Sequence, residues 1–366
     1  LNQSNLIEKK ITMQSEKILV GISGGVDSAV SLALLKNQGY LVSAVFLRFG
    51  DTGLKNNQAL QDAKNICAGL HIPLKVIDAR EGFRKTVIKY FITEYAKGRT
   101  PNPCVFCNEK MKFKLLFEIA EKLKIKLVAT GHYAKIKKIN TSEKINYQLF
   151  PAIDQKKDQS YFLYRLKQEQ LAKILFPLGD YKKEDVRKMA EKFKLPVFNK
   201  SDSQDVCFMA NNNLESFLVK KIKLKKGKII DVAKKVLGKH NGLPLYTIGQ
   251  RKGIEIGGTG PYFVVAKNLK ENILIVTNKL NHSALVQKKI KLKKVVWTNN
   301  IGHNLPLAVL VRTRYHNPLA CAIIKNNPNK KTYQLEFEIP QKAISAGQSV
   351  VFYGKDEEVL GGGIIK

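Results

Sequence analysis

At the junction of an apolar run, Lys17–Ile22, and a helical pattern over residues 28–38 that Gly39 ends, the chain reads Ile22-Ser23-Gly24-Gly25-Val26-Asp27-Ser28. Paired glycines between a buried strand and a helix leave backbone N–H groups unshielded where the helix dipole is positive. A phosphate is the natural occupant of such a turn, which confines the chain to folds where a parallel strand feeds a helix. The loop lacks the lysine of a Walker A motif and the G-x-G-x-x-G spacing of dinucleotide sites, so kinase-like transfer and dinucleotide binding are disfavoured.

The following hundred residues keep the same alternation. Residues 41–47 and 74–77 read as strands, and Leu60, Ala63, Cys67 and Leu70 mark one helical face. Phe83, Val87, Phe91 and Tyr95 recur every four residues, as do Met111, Leu115, Ile119 and Leu123, before the strand at 127–130. Strands alternating with helices predict an α/β fold, a doubly wound parallel sheet whose ligands bind beyond the carboxyl ends of its strands.

Past residue 205 the texture changes. Residues 220–239 carry nine lysines and one acid, followed by glycine-punctuated strand-like pieces. From residue 290 onward, period-two alternation over 308–313, 320–324, 333–339 and 349–353 predicts a terminal β-barrel or sandwich. The expected domains are therefore 1–204, catalytic; 205–281, small and central; and 282–366, a β-barrel. No internal repeat is visible. With 63 Lys and Arg against 30 Asp and Glu, the net charge of +33 favours a polyanionic partner such as nucleic acid. Compositional drift toward lysine is the dull alternative, and the lysine runs near 220–228 and 288–294 are equally compatible with solvated faces.

No apolar run reaches the roughly 18 residues that a membrane span needs. Residues 1–17 resemble neither a signal nor a transit peptide, and Met13 is a candidate start. Five cysteines without secretion signals indicate reduced thiols, so a cytoplasmic location is expected. Thr100-Pro101-Asn102-Pro103-Cys104-Val105-Phe106-Cys107-Asn108 is a rigid loop feeding a helix, and it puts Cys107 near a helix start beside Lys110 and Lys112, a setting that favours thiolate. A C-x-x-C can also be half of a zinc site, but no second pair lies at usable spacing, so no metal ligands are assigned. Cys207 lies in the polar segment Asp202-Ser203-Gln204-Asp205-Val206-Cys207-Phe208. Cys67 and Cys321 read as small buried hydrophobes.

Taken together, the SGGVDS loop, Gly98-Arg99-Thr100-Pro101-Asn102-Pro103, Ala129-Thr130-Gly131-His132-Tyr133, Lys157-Asp158-Gln159-Ser160-Tyr161-Phe162-Leu163, Cys207-Phe208, Thr247-Ile248-Gly249-Gln250-Arg251-Lys252-Gly253, Thr313-Arg314-Tyr315, Gly347-Gln348 and Gly361-Gly362-Gly363 resemble the tRNA-specific 2-thiouridylases of the PP-loop ATP pyrophosphatase superfamily. The resemblance implies a PP-loop domain, a small central domain and a C-terminal β-barrel that clasp a tRNA anticodon arm. It implies that ATP with Mg2+ adenylates the C2 oxygen of the wobble uridine, at position 34, and that sulfur from a persulfide on Cys207 then displaces AMP. Cys107 is implied as the nucleophile, either releasing sulfide from that persulfide or closing a disulfide with Cys207. Gly21, Ile22, Ser23, Gly24, Gly25, Val26, Asp27, Ser28, Leu47 and Gly131 are implied to line ATP. Asn102, Pro103 and Cys104 are implied beside the target base, and His132, Lys157, Asp158, Gln159, Arg314, Tyr315 and Gln348 against tRNA. Duller readings stand beside these: Asp158 capping a helix, Tyr315 in a barrel core, His132 a satisfied histidine. The expected sulfur donor is a persulfide protein such as a cysteine desulfurase or a sulfur-relay protein, and the enzyme is expected to be a monomer.

Two features depart from the family pattern. Many relatives carry Asp where this chain has Cys104, so an iron–sulfur cluster on Cys104, Cys107 and Cys207 is an alternative to the persulfide. The stretch Arg48-Phe49-Gly50-Asp51 is shorter and less acidic than usual, leaving adenine contacts there open. The rival functions are a PP-loop amidating synthetase, which needs no paired cysteines, and a non-catalytic basic RNA-binding protein, which needs no phosphate loop.

Overall fold

The structure is a computed structural model that describes residues 16–50, 54–140, 145–202, 206–209, 213–254, 256–257, 261–298, 304–327 and 332–366. Expectations placed on residues 1–15, on Asp51 and on residues 203–205, where the first domain boundary was expected, lie outside the described residues. The chain forms two compact units. One comprises residues up to Val87, Cys104–Phe208 and Glu357–Leu360; the other comprises Ile88–Pro103, Met209–Asp356 and Gly361–Lys366.

The first unit is built on a parallel sheet. Its strands are β1 (Lys17–Ile22), β2 (Leu41–Arg48), β3 (Leu74–Asp78), β4 (Leu127–Thr130) and a short fifth strand, Ile174–Leu175, in the order β3-β2-β1-β4-fifth. All four pairings are parallel. Ile18, Leu19 and Val20 of β1 are fully buried, as a central strand covered on both faces requires. Helix α1 (Val26–Asn37) buries residues on nearly every side, from Val26 to Leu35. Its buried serines satisfy their hydroxyls locally, as Ser31 Oγ does on the Asp27 carbonyl at 2.9 Å. Helix α2 (Leu54–Gly69) packs Ala63, Ile66 and Cys67 into the same core. The order of strands reverses on either side of β1, so the crevice at the carboxyl ends of β1 and β4 is the topological switch point.

Phe83, Val87, Phe91 and Tyr95 are all buried, as their spacing predicts. The next stripe differs. A π turn over Asn108–Lys112 separates Pro103–Cys107 from the helix Phe113–Lys122. Because a π turn spaces hydrogen-bonded residues five apart, the buried face passes from Met111 to Leu116, while Leu115 is half-buried and Leu123 is 38% exposed. The antiparallel hairpin of Ala134–Asn140 and Ile145–Pro151 is absent from the pattern reading, since lysines interrupt its alternation.

In the second unit, Phe263–Asn268, Ile273–Thr277, Gly227–Asp231 and Val236–His240 form a four-stranded sheet in that order. A separate set of six strands runs Val286–Trp297, Thr332–Lys342, Ala320–Asn327, Leu307–Arg312, Ser349–Tyr353 and Val359–Ile365, and closes by pairing the last strand with the first. The terminal barrel is therefore as expected, and its core includes Leu335, Phe337, Ile324 and Val350. Among the described residues no helix is long and apolar enough to cross a membrane.

Burial in the first core sets a measurable contrast. Leu32→Ala, at a fully buried site on α1, is expected to destabilise the protein by about 2–5 kcal/mol, and Leu41→Ala, at a site 51% exposed, by well under about 1 kcal/mol, in urea unfolding monitored by circular dichroism.

Candidate active site

The loop after β1 has the geometry of an anion cradle. The Ser23 N–H donates to Ser28 Oγ at 3.1 Å, and Ser28 Oγ donates to the Gly25 carbonyl at 3.0 Å, folding the turn back onto the helix start. No side chain caps α1, so its first N–H groups face outward. Gly24 has φ of +73°, and a Cβ there would lie 2.1 Å from the Ala59 carbonyl oxygen. Gly131, just after β4, approaches so closely that its Cβ would meet the Asp27–Ser28 peptide at 2.9 Å. Both glycines are therefore required by close backbone approach around the loop.

Behind the loop lies an ion cluster that the sequence did not reveal. Asp27 Oδ1 accepts from Tyr133 Oη at 2.8 Å and from Lys183 Nζ at 2.6 Å. Lys183, only 8% exposed, reaches Asp202 Oδ1 at 3.0 Å, and Lys157 and Arg187 each hold Asp202 at 2.6 Å. Burial and the neighbouring Asp27 carboxylate push the Tyr133 phenol well up, so it stays a donor. Asp202 is partly desolvated, but hydrogen bonds from Lys157 and Lys183 outweigh that and bring its carboxyl down to about 2. Lys200 adds a second tie, donating to the Gly24 carbonyl at 2.9 Å and to Asp62 at 2.5 Å. Three cations around two carboxylates leave this cluster net positive beside the anion cradle.

The same unit brings Cys104, Cys107 and Cys207 into one electrostatic neighbourhood, together with Lys112. Solvent reaches Cys104 and Cys207 and part of Cys107. Protein nevertheless surrounds each sulfur enough to disfavour its anion. Desolvation pushes Cys107 up to about 11 and Cys207 up to about 12, and the nearby Lys112 charge only partly opposes this. The expectation of a resting thiolate at Cys107 is thus corrected. Its helix starts at Pro103, so Cys107 ends the first turn rather than opening it, and Lys110 is paired with Glu109 at 2.8 Å. Cys67 is buried, as read from the sequence, whereas Cys321 is exposed. Among the described residues, no three His, Cys, Asp or Glu side chains are placed to hold a metal ion.

Sequence-predicted contacts fall into two groups. In the first unit His132 is buried, with Nδ1 2.7 Å from Thr130 Oγ1 and Nε2 3.2 Å from Lys112 Nζ. Burial, reinforced by Lys112, holds it well below its ordinary range and hence neutral. Asp158 is 1% exposed and accepts from the Ala152 and Ser160 N–H groups and from Ser160 Oγ, while the short helix Ser160–Phe162 that follows has Gln159 at its N-cap position and no side-chain cap. Gln159 Oε1 accepts from the Tyr133 N–H at 3.1 Å. Leu47 lies half-buried at the carboxyl end of β2, paired with Ile77. Asn108 donates to the Phe162 carbonyl and Arg165 pairs with Glu109, bracing the helix of Cys107.

In the second unit Asn102 is half-buried and Pro103 buried. Thr100 collects three distant motifs: Gln348 Nε2 donates to its carbonyl at 2.9 Å, its N–H donates to the Ala346 carbonyl, and its hydroxyl lies 3.1 Å from that of Thr247. Arg314 donates to the carbonyls of Ile248 and Ala343, both at 2.9 Å, and to Ser345 Oγ at 2.7 Å. Its guanidinium is thus engaged within the unit. Tyr315 lies against His316, with ring centroids 3.8 Å apart.

Lys183, Lys200 and Tyr133 were missed as site residues. Two lysines among 63 basic residues carry no distinguishing pattern, whereas Tyr133 follows Gly131 and His132 in a motif already singled out.

Comparison with known proteins agrees over the length of the chain. Residues 16–211 match the family described as the tRNA methyl transferase HUP domain, 215–278 the tRNA methyl transferase PRC-barrel domain, and 287–365 the aminomethyltransferase beta-barrel domain. The chain is 40% identical over 368 residues to the tRNA-specific 2-thiouridylase MnmA of Buchnera aphidicola subsp. Acyrthosiphon pisum, covering 97% of this chain and 98% of the relative. It is 40% identical over 363 residues to the protein of that name from Blochmanniella floridana, covering 96% and 97%. With that of Francisella philomiragia subsp. philomiragia it shares 39% over 364 residues, covering 96% and 100%.

The Asp202 ion pairs predict a pH-dependent contribution to stability. A carboxyl lowered from 3.8 to about 2 stabilises the fold above its unfolded value and loses that contribution as pH falls from about 4 through 2. Asp202→Asn is expected to destabilise by about 1–3 kcal/mol at pH 7, and the gap from wild type is expected to close below about pH 2, as read by urea unfolding.

Proposed function

The chain belongs to the tRNA-specific 2-thiouridylase family, and from that premise we propose that Cys107 and Cys207 exchange sulfur beside a PP-loop that activates the tRNA base with ATP. The enzyme is a transferase that replaces oxygen by sulfur at C2 of a uridine in tRNA, using ATP. One observation carries the site assignment: two thiols a hundred residues apart in sequence interact within the unit that also holds the anion cradle. The family descriptions mention methyl transfer. Relatives matched end to end are named for thiolation, and paired cysteines beside an anion loop suit sulfur transfer.

The chemistry follows from what a carbonyl oxygen needs. The C2 oxygen of uridine is a poor leaving group until it attacks the α-phosphorus of ATP, expelling pyrophosphate and leaving an O-adenylate. The loop from Gly21 to Ser28 would hold the departing pyrophosphate on its N–H groups, with Gly131 admitting it closely and Leu47 flanking the nucleotide. Mg2+ would arrive on the triphosphate. A persulfide on Cys207 then supplies sulfur. Either its terminal sulfur attacks C2 directly and expels AMP, after which Cys107 attacks Sγ of Cys207 and breaks the bond to the transferred sulfur, or Cys107 first displaces hydrosulfide, which attacks C2 and expels AMP. In both orders AMP leaves, a Cys107–Cys207 disulfide forms, and an external reductant must reopen it. The reaction centre on the RNA is read as the wobble uridine.

The three sulfurs are not set as a ligand group for a metal ion, so no step is routed through an iron–sulfur cluster. The basic chain suits the tRNA anticodon arm, with Asn102, Pro103 and Cys104 expected beside the base and Tyr315 against the RNA, while His132, Lys157, Gln159 and Gln348 are held in internal bonds. Arg314 and Asp158, both engaged in internal bonds, would shape this surface rather than reach from it. A persulfide-bearing protein would load Cys207, and a cytoplasmic monomer is consistent with a soluble tRNA substrate.

Unmodified tRNA incubated with the enzyme, ATP, Mg2+ and a persulfide donor is expected to yield 2-thiouridine by nucleoside mass spectrometry. Cys107→Ala and Cys207→Ala are each expected to lower that yield by at least about a thousandfold while changing tRNA affinity by less than about threefold. Wild-type product from either variant would overturn the roles assigned. Binding of tRNA is expected to weaken steeply, by at least about tenfold between 50 and 200 mM salt in filter binding, because phosphate contacts release counterions.

A further inference from the structure

Desolvated thiols raise a problem for the reaction. Burial pushes the Cys107 thiol up to about 11, so near neutral pH it rests as the thiol. Sulfur transfer needs its anion. The structure supplies one cation that acts on all three thiols, Lys112, and fixes it in two ways. Its place in the chain is set by the π turn Asn108–Lys112, which follows Cys107 directly. Its ammonium lies 3.2 Å from His132 Nε2.

The histidine's own arrangement explains the second tie. His132 is buried and neutral, and an ammonium only donates, so Nε2 must accept from Lys112. That leaves the proton on Nδ1, which donates to Thr130 Oγ1 at 2.7 Å at the end of β4. The ring is further clamped by Phe113, stacked at 5.8 Å, and by Phe176, edge-on at 5.9 Å. A rigid chain therefore runs from β4 through His132 to Lys112.

We propose that Lys112 is the positioning residue of sulfur transfer, a cation aimed by His132 that holds Cys107 ready to react as its anion and faces the charge that leaves on the sulfur carried by Cys207; this rests on the sulfur-transfer reading above. In the step it serves, the Cys107 thiolate attacks Sγ of Cys207. The Cys107–Cys207 bond forms, the bond from Cys207 to the transferred sulfur breaks, and its electron pair leaves on that sulfur. The proton lost from Cys107 passes to water. The Lys112 charge balances the negative charge as it passes along the sulfurs. The groups facing it are Cys104 and Cys107 from its own helical stretch, Cys207 from the segment at 206–209 and the neutral His132; the neighbouring Glu109 is taken by Lys110 and Arg165.

Iodoacetamide alkylation of the full-length protein, followed thiol by thiol with peptide mass spectrometry from pH 7 to 9, tests this without relying on turnover. Below the thiol midpoint the rate rises tenfold per pH unit, so removing a charge appears as a parallel offset. Lys112→Gln is expected to slow Cys107 and Cys207 about tenfold at every pH, Lys112→Arg to restore them to within about threefold, and the exposed barrel thiol Cys321 to stay unchanged. Buried Cys67 reports unfolding. If it opens in Lys112→Gln, His132→Gln carries the test, with slower Cys107 and a closed Cys67 expected. An unchanged Cys107 rate in a folded Lys112→Gln, or in His132→Gln read in its place, would overturn the proposal, as would Lys112→Arg as slow as Lys112→Gln. In the thiolation assay Lys112→Gln is expected to lower kcat about tenfold and leave KM for tRNA within about twofold. Failure of the wild type to make 2-thiouridine would instead remove the functional reading while leaving the alkylation result intact.

Discussion

The ammonium of Lys183, buried between the carboxylates of Asp27 and Asp202, is the contact on which the first unit's chemistry depends. Asp27 sits on the first turn of α1, where a free carboxylate would compete with an incoming phosphate. Lys183 and Tyr133 together occupy Asp27 Oδ1, so the loop's outward N–H groups meet no rival on that oxygen. The same ammonium fixes Asp202, five residues before Cys207. One buried cation thus ties the start of the nucleotide loop to the root of the sulfur-bearing segment. Such a contact is costly to bury and costlier to break, because removing either partner strands a charge away from water.

Electrostatics treats the two ends of the site in opposite ways. Around the phosphate cradle, charges are paired densely and held. Around the thiols, desolvation outweighs the charge of Lys112, and the sulfurs are pushed toward the thiol form. That asymmetry suits the order of events. The phosphate site must be ready before substrate binds, whereas a resting thiolate would react with any oxidant that reached it. On the proposed route, a persulfide on Cys207, more acidic than a thiol, would itself supply the anion that Lys112 faces.

How much of this was legible in the sequence depends on which physical term decided each feature. The strand, loop and helix from Lys17 to Asn37 were legible because an uninterrupted apolar strand and a glycine pair leave few alternatives. The helical stripe ending at Tyr95 was legible because burial repeats every turn. The stripe after Met111 was legible only in part, since a π turn resets the phase and leaves no compositional mark. The hairpin starting at Ala134 escaped because four of the residues in its first strand are lysine or asparagine. For the site, the glycines, cysteines and motif residues were identifiable, but their electrostatic states were not. Thiolate at Cys107 was expected from nearby lysines, and desolvation, which depends on tertiary packing, reversed it. Lys183 was invisible for the opposite reason, being one lysine in a chain full of them until folding buried it.

On the proposed route two desolvated cysteines exchange sulfur next to a base activated by ATP. A single turnover tests it most directly: enzyme carrying one persulfide, with ATP, Mg2+ and unmodified tRNA and no reductant, quenched by acid and examined by intact-protein and peptide mass spectrometry. One 2-thiouridine and one AMP are expected per persulfide consumed, with a disulfide joining Cys107 to Cys207 in the spent enzyme. Thiouridine formed at that yield with both cysteines left as free thiols would contradict it.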